Sequence, residues 1–285
     1  MTDVVGELVQ LDGDVVAVRA RDGRVVQVAG DRVVALKPLG ARPIRTSEIR
    51  SLERAAADGW PGVEQEWIDG WLLRAGHGFT GRANSATPLE PNASAAAAES
   101  IAAWFDARGL PPVILKPDRL GDIPAGWATR NETLVMAADI SRLTLPEESL
   151  AEVSTAPGDE WLSLYRYRGR PLPDGALAVI SAVRDGVAGF ARLGDASTTL
   201  AIGRAAVTGA PDGRRWVGLT AVEVAEHHRR NGLGTRVCGE LVAWGRQQGA
   251  THAYLQVAAS NTGAETMYRA LGFVEHHRYR YATPM

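Results

Sequence analysis

The spacing of hydrophobic positions changes character at two points along the chain. Residues 4–40 alternate short valine-rich runs with turn signals such as Asp22-Gly23, which predicts a set of short antiparallel strands. From Thr46 onward, apolar positions recur at helical spacing and then alternate with strand-like runs. A polar stretch at residues 141–158 precedes a second alternation of the same kind. The pattern predicts three regions, at residues 1–45, 46–150 and 151–285.

Within the two longer regions, the apolar runs predict individual elements. We expect an Ala-rich helix around residues 93–108, followed by strands within PPVILKP and TLVMAADI. A helix that carries Trp161 opens the last region. The runs ALAVISAV and GVAGFARL are interpreted as a hairpin about the turn Arg184-Asp185-Gly186.

The two longer regions share an internal repeat. A shift of 140 residues superimposes Trp104 on Trp244, Gly109 on Gly249, and Leu115 on Leu255. The region at 46–150 is therefore interpreted as a partial copy of the last region. On the same shift, Asn92 and Ser94 stand where the last region has Gly232 and Gly234.

Composition narrows the class of protein. A net charge of -2 argues against a role of the whole protein in binding nucleic acid or membrane. No run of 18 apolar residues occurs, and Asp3 interrupts an N-terminus that has no basic segment, so we expect a cytoplasmic protein. The single thiol, Cys238, faces inward with Val242 on a predicted helix and is expected to be a buried core residue.

The first region, at residues 1–45, resembles a small SH3-like or Tudor-like β-barrel. It contains no Trp, Tyr or Phe, which are the residues that peptide-binding barrels of this kind use. A packing role, either extending a neighbouring sheet or mediating homodimerisation, is therefore favoured over peptide docking.

The chemistry is concentrated in VEVAEHHRRNGLGTRV, residues 222–237, where an apolar strand runs into a basic, glycine-containing turn. Helical spacing begins at Leu233, so the turn opens a helix. A helix start presents about four unpaired backbone N–H groups and a positive dipole end, and glycine lets an anion approach them closely. The stretch predicts an anion site.

Three motifs together resemble the GNAT superfamily of acetyl-CoA-dependent N-acetyltransferases. The first is R-x-x-G-x-G, with Arg229, Gly232 and Gly234, and the second is the strand YLQV with Asn261 shortly after it. The third is MYRALGF, which contains Tyr268. The resemblance covers residues 151–285 and, more weakly, the partial copy. It implies an α/β (α+β) fold with a mixed central sheet, preceded by a partial GNAT-like repeat and the small N-terminal β-barrel.

The resemblance also implies a reaction and a site. Acetyl-CoA would be the cosubstrate, without a metal, and acetyl would pass directly to a primary amine in a ternary complex. The implied coenzyme-binding residues are Val222, Val224, Arg229, Arg230, Asn231, Gly232, Leu233, Gly234, Thr235, Asn261 and Tyr268. By the same resemblance, the N–H of Val224 polarises the thioester carbonyl and Tyr268 acts as general acid towards the departing thiolate. Asn261 is equally plausible as a helix N-cap.

The general base is where the pattern departs from the family. Thr220 and Gln256 stand at positions where family members often carry an acid or a histidine, and neither titrates. Glu223 is the remaining catalytic candidate, but strict strand alternation turns it away from the face of Val222 and Val224 unless a bulge intervenes. Deprotonation through water, or an amine of lower pKa, is the favoured hypothesis.

The acceptor is not identified by the sequence. Asn84 and Ser85 are candidates for lining the acceptor cleft or for strand-edge hydrogen bonds. The pairs His227-His228 and His276-His277 have no partner at the spacing of a metal motif, so we expect no metal site. Two rival functions remain: a coenzyme-binding regulator without turnover, and a protein acetyltransferase of histone-like substrates that uses the barrel as a docking module.

Overall fold

The computed structural model describes residues 3–20, 22–37, 43–167, 169–195 and 198–285. The chain divides into two compact units, Met1–Pro43 and Ile44–Met285. The first unit contains an antiparallel sheet in the order β1-β2-β3. Its strands are β1 (Gly6–Leu11), β2 (Val15–Ala20) and β3 (Val25–Ala29). Val16, Ala17 and Val18 of the central strand are buried.

The run RVVALKPL, residues 32–39, is the last valine-rich run of the region 4–40, for which short strands are predicted. The structure instead has a short 3₁₀ helix at Gly30–Arg32, and residues 33–37 belong to no strand. The end of the run, Pro38 and Leu39, lies outside the described residues.

The second unit combines six helices with one large sheet in the described part of the chain. Its first half contains α1 (Thr46–Gly59), β4 (Glu64–Ile68), β5 (Trp71–Ala75), β6 (Ser85–Pro88), α2 (Ala98–Asp106), β7 (Ile114–Pro117) and β8 (Trp127–Asp139). Its second half contains β9 (Glu152–Ser154), α3 (Asp159–Leu164), α4 (Ala176–Ser181), β10 (Gly186–Gly194), β11 (Thr199–Gly209), β12 (Arg215–Val224), α5 (Leu233–Gln247), β13 (His252–Ala258), α6 (Thr262–Ala270) and β14 (Val274–Pro284).

The strand order of this sheet carries the internal repeat. The 11 strands follow the order β4-β5-β6-β7-β14-β8-β13-β12-β11-β10-β9. Apart from β9, each strand of the first half has a counterpart at the same distance from the sheet centre in the second half. The final strands are exchanged: β14 lies beside β7, and β8 lies beside β13. The two copies are thus joined in one continuous sheet.

The repeat does not keep a constant shift. In the first copy, Ala86 of β6 pairs with Ile114, 28 residues further on, whereas Gly218 of β12 pairs with Tyr254, 36 residues further on. The first copy is therefore eight residues shorter between these strands. The strand and the helix account for the difference, since β6 has 4 residues where β12 has 10, and α2 has 9 where α5 has 15.

One predicted hairpin is wrong. The run ALAVISAV forms helix α4, and its buried residues Ala176, Val179 and Ile180 follow helical spacing. The true antiparallel partner of β10 is β11, with Gly186 opposite Thr208. A continuous apolar run fits a buried helix as well as a strand, so periodicity alone misassigned it.

Helix α5 packs on β11 and β12 and supports the site from behind. Its residues Val237, Cys238 and Leu241 belong to the core that these strands line. A Cβ at Gly245 would lie 2.6 Å from the Cβ of Val217, so the helix approaches the sheet closely at that point. Cys238 is fully buried, as expected, and burial raises the pKa of its thiol to about 12.

Candidate functional site

The site is an opening in the sheet between two parallel strands. β12 and β13 pair from Trp216–His252 to Leu219–Leu255, and no pairs follow. Beyond this point the strands separate, and a cleft of about 850 Å³ lies between them. Unpaired main-chain groups of both strands are therefore available to a bound molecule.

A bulge in β12 shapes one wall of the cleft. Ile202 of β11 pairs with Glu223, and Arg204 pairs with Thr220, so β12 has one extra residue in this interval. Ala221 accommodates it with a φ of 52°, a left-handed conformation that is rare for a residue with a side chain. The bulge breaks the strict alternation on which the outward orientation of Glu223 depended. Val222, Glu223 and Val224 all line the cleft.

Burial adjusts the acidity of Glu223. Loss of hydration raises the pKa of its carboxyl group, and the positive charge of Arg229 opposes this rise. A carboxylate with a raised pKa is a stronger base at neutral pH than an exposed one.

The backbone of Val224 faces the same opening. The N–H of Ala225 donates to the carbonyl oxygen of Leu200 in β11 at 2.9 Å. In an antiparallel ladder, successive residues direct their N–H groups to opposite sides, so the N–H of Val224 points away from β11 and towards the cleft.

The glycine-containing turn follows directly. A short 3₁₀ helix at Glu226–His228 leads to Arg230, with a φ of 64°, and Gly232, with a φ of 77°. Helix α5 then begins at Leu233 without a side-chain cap. The first backbone N–H that finds an intrahelical acceptor is that of Arg236, which donates to Gly232 at 2.9 Å. The N–H groups before it are available to an anion.

Helix α6 forms the opposite wall. Asn261 caps it, since its side-chain oxygen accepts from the N–H of Ala264 at 3.1 Å. Asn261, Met267 and Tyr268 line the cleft. Burial raises the pKa of Tyr268 above its ordinary value, with Cys238 as a smaller cause, so its phenol keeps its proton.

The structure thus brings nearly all the expected residues together. Of the 11 implied coenzyme residues, only Asn231 does not line the cleft. Glu223 joins the other ten there. Asn84 and Ser85 do not line it. Both are buried within the first copy, where Asn84 bonds to the backbone of residues 76–80 and the hydroxyl of Ser85 accepts from Arg74.

Other residues of the cleft were missed by sequence reasoning. They are Arg82, Tyr165, Arg166 and Tyr167. The one available signal was the glycine-rich segment GHGFTGRAN at residues 76–84, which is typical of a tightly folded loop.

Neither of the two histidine pairs lines the cleft. His227 and His228 lie exposed in the 3₁₀ turn. The Nδ1 atoms of His276 and His277 are 2.8 Å apart, and Nε2 of His277 lies 2.8 Å from Oε1 of Glu53 on α1. Among the residues that the structure describes, no three His, Cys, Asp or Glu side chains cluster as a metal would require.

None of the helices in the described ranges combines the length and the apolar character needed to cross a bilayer.

A fold whose strands separate around such a cleft has counterparts among solved structures. The fold matches a GCN5-related N-acetyltransferase from Kribbella flavida with a TM-score of 0.56 at 19% identity, over 84% of this chain and 96% of that one. A GNAT-family acetyltransferase structure from Novosphingobium aromaticivorans gives 0.54 at 17% identity, over 82% and 99%. The chain has the GNAT fold.

The chain belongs to the family whose model is described as "Probable histone acetyltransferase Rv0428c C-terminal", which matches residues 46–282. A second model, "Rv0428c N-terminal Sm-like domain", matches residues 1–37 and agrees with a small β-barrel. The Mycobacterium tuberculosis protein "Probable histone acetyltransferase Rv0428c" is 42% identical over 99% of this chain and 88% of its own length. "Uncharacterized N-acetyltransferase YobR" of Bacillus subtilis is 30% identical over 82% and 98%. This protein is an acetyltransferase of the GNAT superfamily, and its fold implies the use of acetyl-CoA.

Proposed function

We propose that the protein transfers acetyl from acetyl-CoA directly to a primary amine bound in the cleft between β12 and β13. The bulge at Ala221 is the observation that supports this most, because the Val224 amide and Glu223 then serve the same opening. Direct transfer needs a hydrogen-bond donor for the carbonyl oxygen and a base for the attacking ammonium. The two groups are adjacent in the chain.

The turn and the start of α5 fit an anionic coenzyme. At Gly232, a Cβ would meet no atom within 4 Å, so the space above the free N–H groups is open. In this proposal, the N–H groups of residues 230–235 bind the pyrophosphate, and the unpaired edge of β12 pairs with the amide-bearing arm of the coenzyme. Val222, Asn261 and Tyr268 complete the binding residues.

Glu223 is the proposed base and Tyr268 the proposed acid. The raised pKa of Glu223 increases its basicity. Tyr268 keeps its proton and can donate it to a thiolate, whose conjugate thiol titrates near ~8.5. Thr220 is excluded as a base, since a hydroxyl does not titrate in this range.

The test measures release of free thiol from acetyl-CoA with a panel of small amines and a lysine-rich peptide. At least one acceptor should raise thiol release above background, and Glu223→Gln should lower kcat by about a hundredfold while acetyl-CoA affinity is kept. If acetyl-CoA binds but no amine raises thiol release, the protein is a coenzyme-binding regulator instead.

The measurement with the lysine-rich peptide tests whether the first unit docks polypeptides. The M. tuberculosis relative is named as a histone acetyltransferase. If the first unit docks polypeptides, deletion of residues 1–45 abolishes activity on the peptide and spares small amines. We propose that the partial copy ends and the catalytic region begins at about residue 150. Both copies lie within the one compact unit Ile44–Met285.

A further inference from the structure

A tightly held loop delivers an arginine from the first copy into the cleft. The side chain of Asn84 fastens this loop, residues 76–84, with four hydrogen bonds. Its Oδ1 accepts from the N–H groups of Gly76 and Gly78, at 2.8 and 3.0 Å. Its Nδ2 donates to the carbonyls of Phe79 and Thr80, at 2.9 and 2.8 Å.

The conformation of this loop is strained. Thr80 has a φ of 63° and His77 a φ of 52°, both in the left-handed region. Residues with side chains adopt this region at a free-energy cost, and such strain is concentrated at functional sites. The loop ends with Arg82 at the cleft.

Arg82 has no carboxylate partner among the residues that the structure describes. Its Nη1 donates to Oε1 of Gln256, and its guanidinium lies 5.5 Å from the ring centre of Trp60. The neighbouring phenols do not supply a negative charge, because burial raises the pKa of Tyr165 to about 12 and that of Tyr254 above its ordinary range. A guanidinium has five N–H groups that can donate hydrogen bonds, and the bond to Gln256 uses one of them. Most of the N–H groups of Arg82 therefore remain for a bound molecule.

A fully buried arginine, Arg204, shows the contrast. Arg204 donates from Nε to the carbonyl of Ile180 at 2.7 Å and from Nη2 to that of Ala182 at 2.6 Å. It is fully buried and does not line the cleft. Arg204 is therefore a structural residue, whereas Arg82 is partly exposed and reaches the opening.

Arg82 lies at the end of the cleft that is farther from the glycine turn, where the acceptor amine would bind. Its partner Gln256 follows Leu255, the last residue of β13 that pairs with β12. Arg82 thus stands where the two strands begin to part, while the glycine turn lies at the far end of β12. Besides Arg229 and Arg230 at the turn, the charged residues that line the cleft are Arg82, Arg166 and Glu223. The two cations and one acid favour a substrate that carries an anion beside its amine.

We infer that the acceptor is a primary amine that also carries a carboxylate, and that the guanidinium of Arg82 binds this carboxylate with two parallel, bidentate hydrogen bonds. The inference rests on the proposed acetyl transfer. Arg and carboxylate match in geometry, and charge-assisted pairs of this kind are stronger than neutral hydrogen bonds. Arg82 also lowers the pKa of a nearby ammonium by repulsion, which eases its deprotonation by Glu223. A polycationic peptide would instead be repelled by the positive charges of Arg82 and Arg166.

The experiment compares amines that differ in the carboxylate alone, such as phenylalanine with phenethylamine and leucine with isoamylamine. The corresponding aminophosphonates and a lysine-rich peptide are further arms. Thiol release gives kcat/KM, and calorimetry with CoA-saturated protein gives binding without turnover. The variants are Arg82→Gln, Arg82→Lys, which keeps the charge, and Arg166→Gln, which removes a cation from the exposed part of the cleft. Retained CoA affinity shows that each variant is folded.

The carboxylated member of a pair should be preferred by about ten- to a hundredfold. Arg82→Gln should remove this preference through KM, Arg82→Lys should keep part of it, and Arg166→Gln should keep most of it. Equal binding of both members overturns the inference, as does a preference for phosphonates or for the peptide. Loss of discrimination in Arg166→Gln instead of Arg82→Gln also overturns it. Binding with preference but no turnover of any amine contradicts the proposed acetyl transfer and leaves the recognition by Arg82 standing.

Discussion

The side chain of Arg229 donates from Nε to the backbone carbonyl of Val224 at 3.2 Å. This bond joins the first residue of the R-x-x-G-x-G motif to the end of β12. It ties the turn that would bind the pyrophosphate to the strand whose amide would face the thioester. The positive charge of the same guanidinium opposes the rise that burial causes in the pKa of Glu223, so one side chain affects both ends of the proposed reaction.

Arg229→Gln is expected to shift the pH profile of kcat. A base must be ionised, so activity is lost as the pH falls through the pKa of Glu223. Removing Arg229 removes the charge that opposes the rise in this pKa, and the acidic limb should therefore move to higher pH. The matched control is Arg230→Gln, which removes the next positive charge in the chain. If both variants leave the limb unchanged, Glu223 is not the base.

Gly234→Asp is expected to abolish binding of acetyl-CoA, because it places a carboxylate at the start of α5 where the pyrophosphate is proposed to lie. Gly234→Ala separates charge from size: an added Cβ would lie 3.1 Å from Sδ of the flexible Met267 side chain. The alanine variant should bind with a modest loss of affinity. Calorimetry with acetyl-CoA measures both, and full binding by Gly234→Asp would contradict our placement of the pyrophosphate.

Tyr268→Phe is expected to lower kcat by roughly 10- to 100-fold with little change in acetyl-CoA affinity, because the phenol acts on the leaving thiolate. Tyr254→Phe is the control, since Tyr254 is also a buried phenol but does not line the cleft. Steady-state rates and equilibrium binding are compared for both. Equal turnover in the wild type and Tyr268→Phe would assign this tyrosine to packing alone.

Acid should destabilise the fold through His276. Burial and the neighbouring His277 lower the pKa of His276 to about 3, whereas an unfolded histidine titrates near ~6.5. The folded state thus favours the neutral ring, and its contribution to stability is complete above pH ~6.5 and is lost as the pH falls towards 3. The slope from this group approaches about 1.4 kcal/mol per pH unit.

Denaturant unfolding between pH 7.5 and 4.5 measures this effect. His276→Gln should be less stable at neutral pH but should lose less stability on acidification, while the exposed His227→Gln should follow the wild type. An unchanged slope in His276→Gln would mean that other groups govern the acid response.

Sequence alone determined the features that depend on residues close together in the chain. The strand, the turn with Gly232 and Gly234, and helix α5 are contiguous, so their propensities and glycine conformations predict one another. Asn261 and Tyr268 belong to a single short helix, and spacing was enough to recognise them. The valine alternation likewise predicted the first three strands.

Only tertiary structure decided the features that depend on distant pairing. The orientation of Glu223 follows from an extra residue in the register between β11 and β12, which strand alternation cannot reveal. Helix α4 was misread because its exposed positions Leu177 and Ala178 are apolar as well, so no polar residues mark the helical period there. Arg82 contacts Gln256 from 174 residues away, through a loop that Asn84 holds in a strained form. Such contacts arise from packing between the two copies, and no local pattern encodes them.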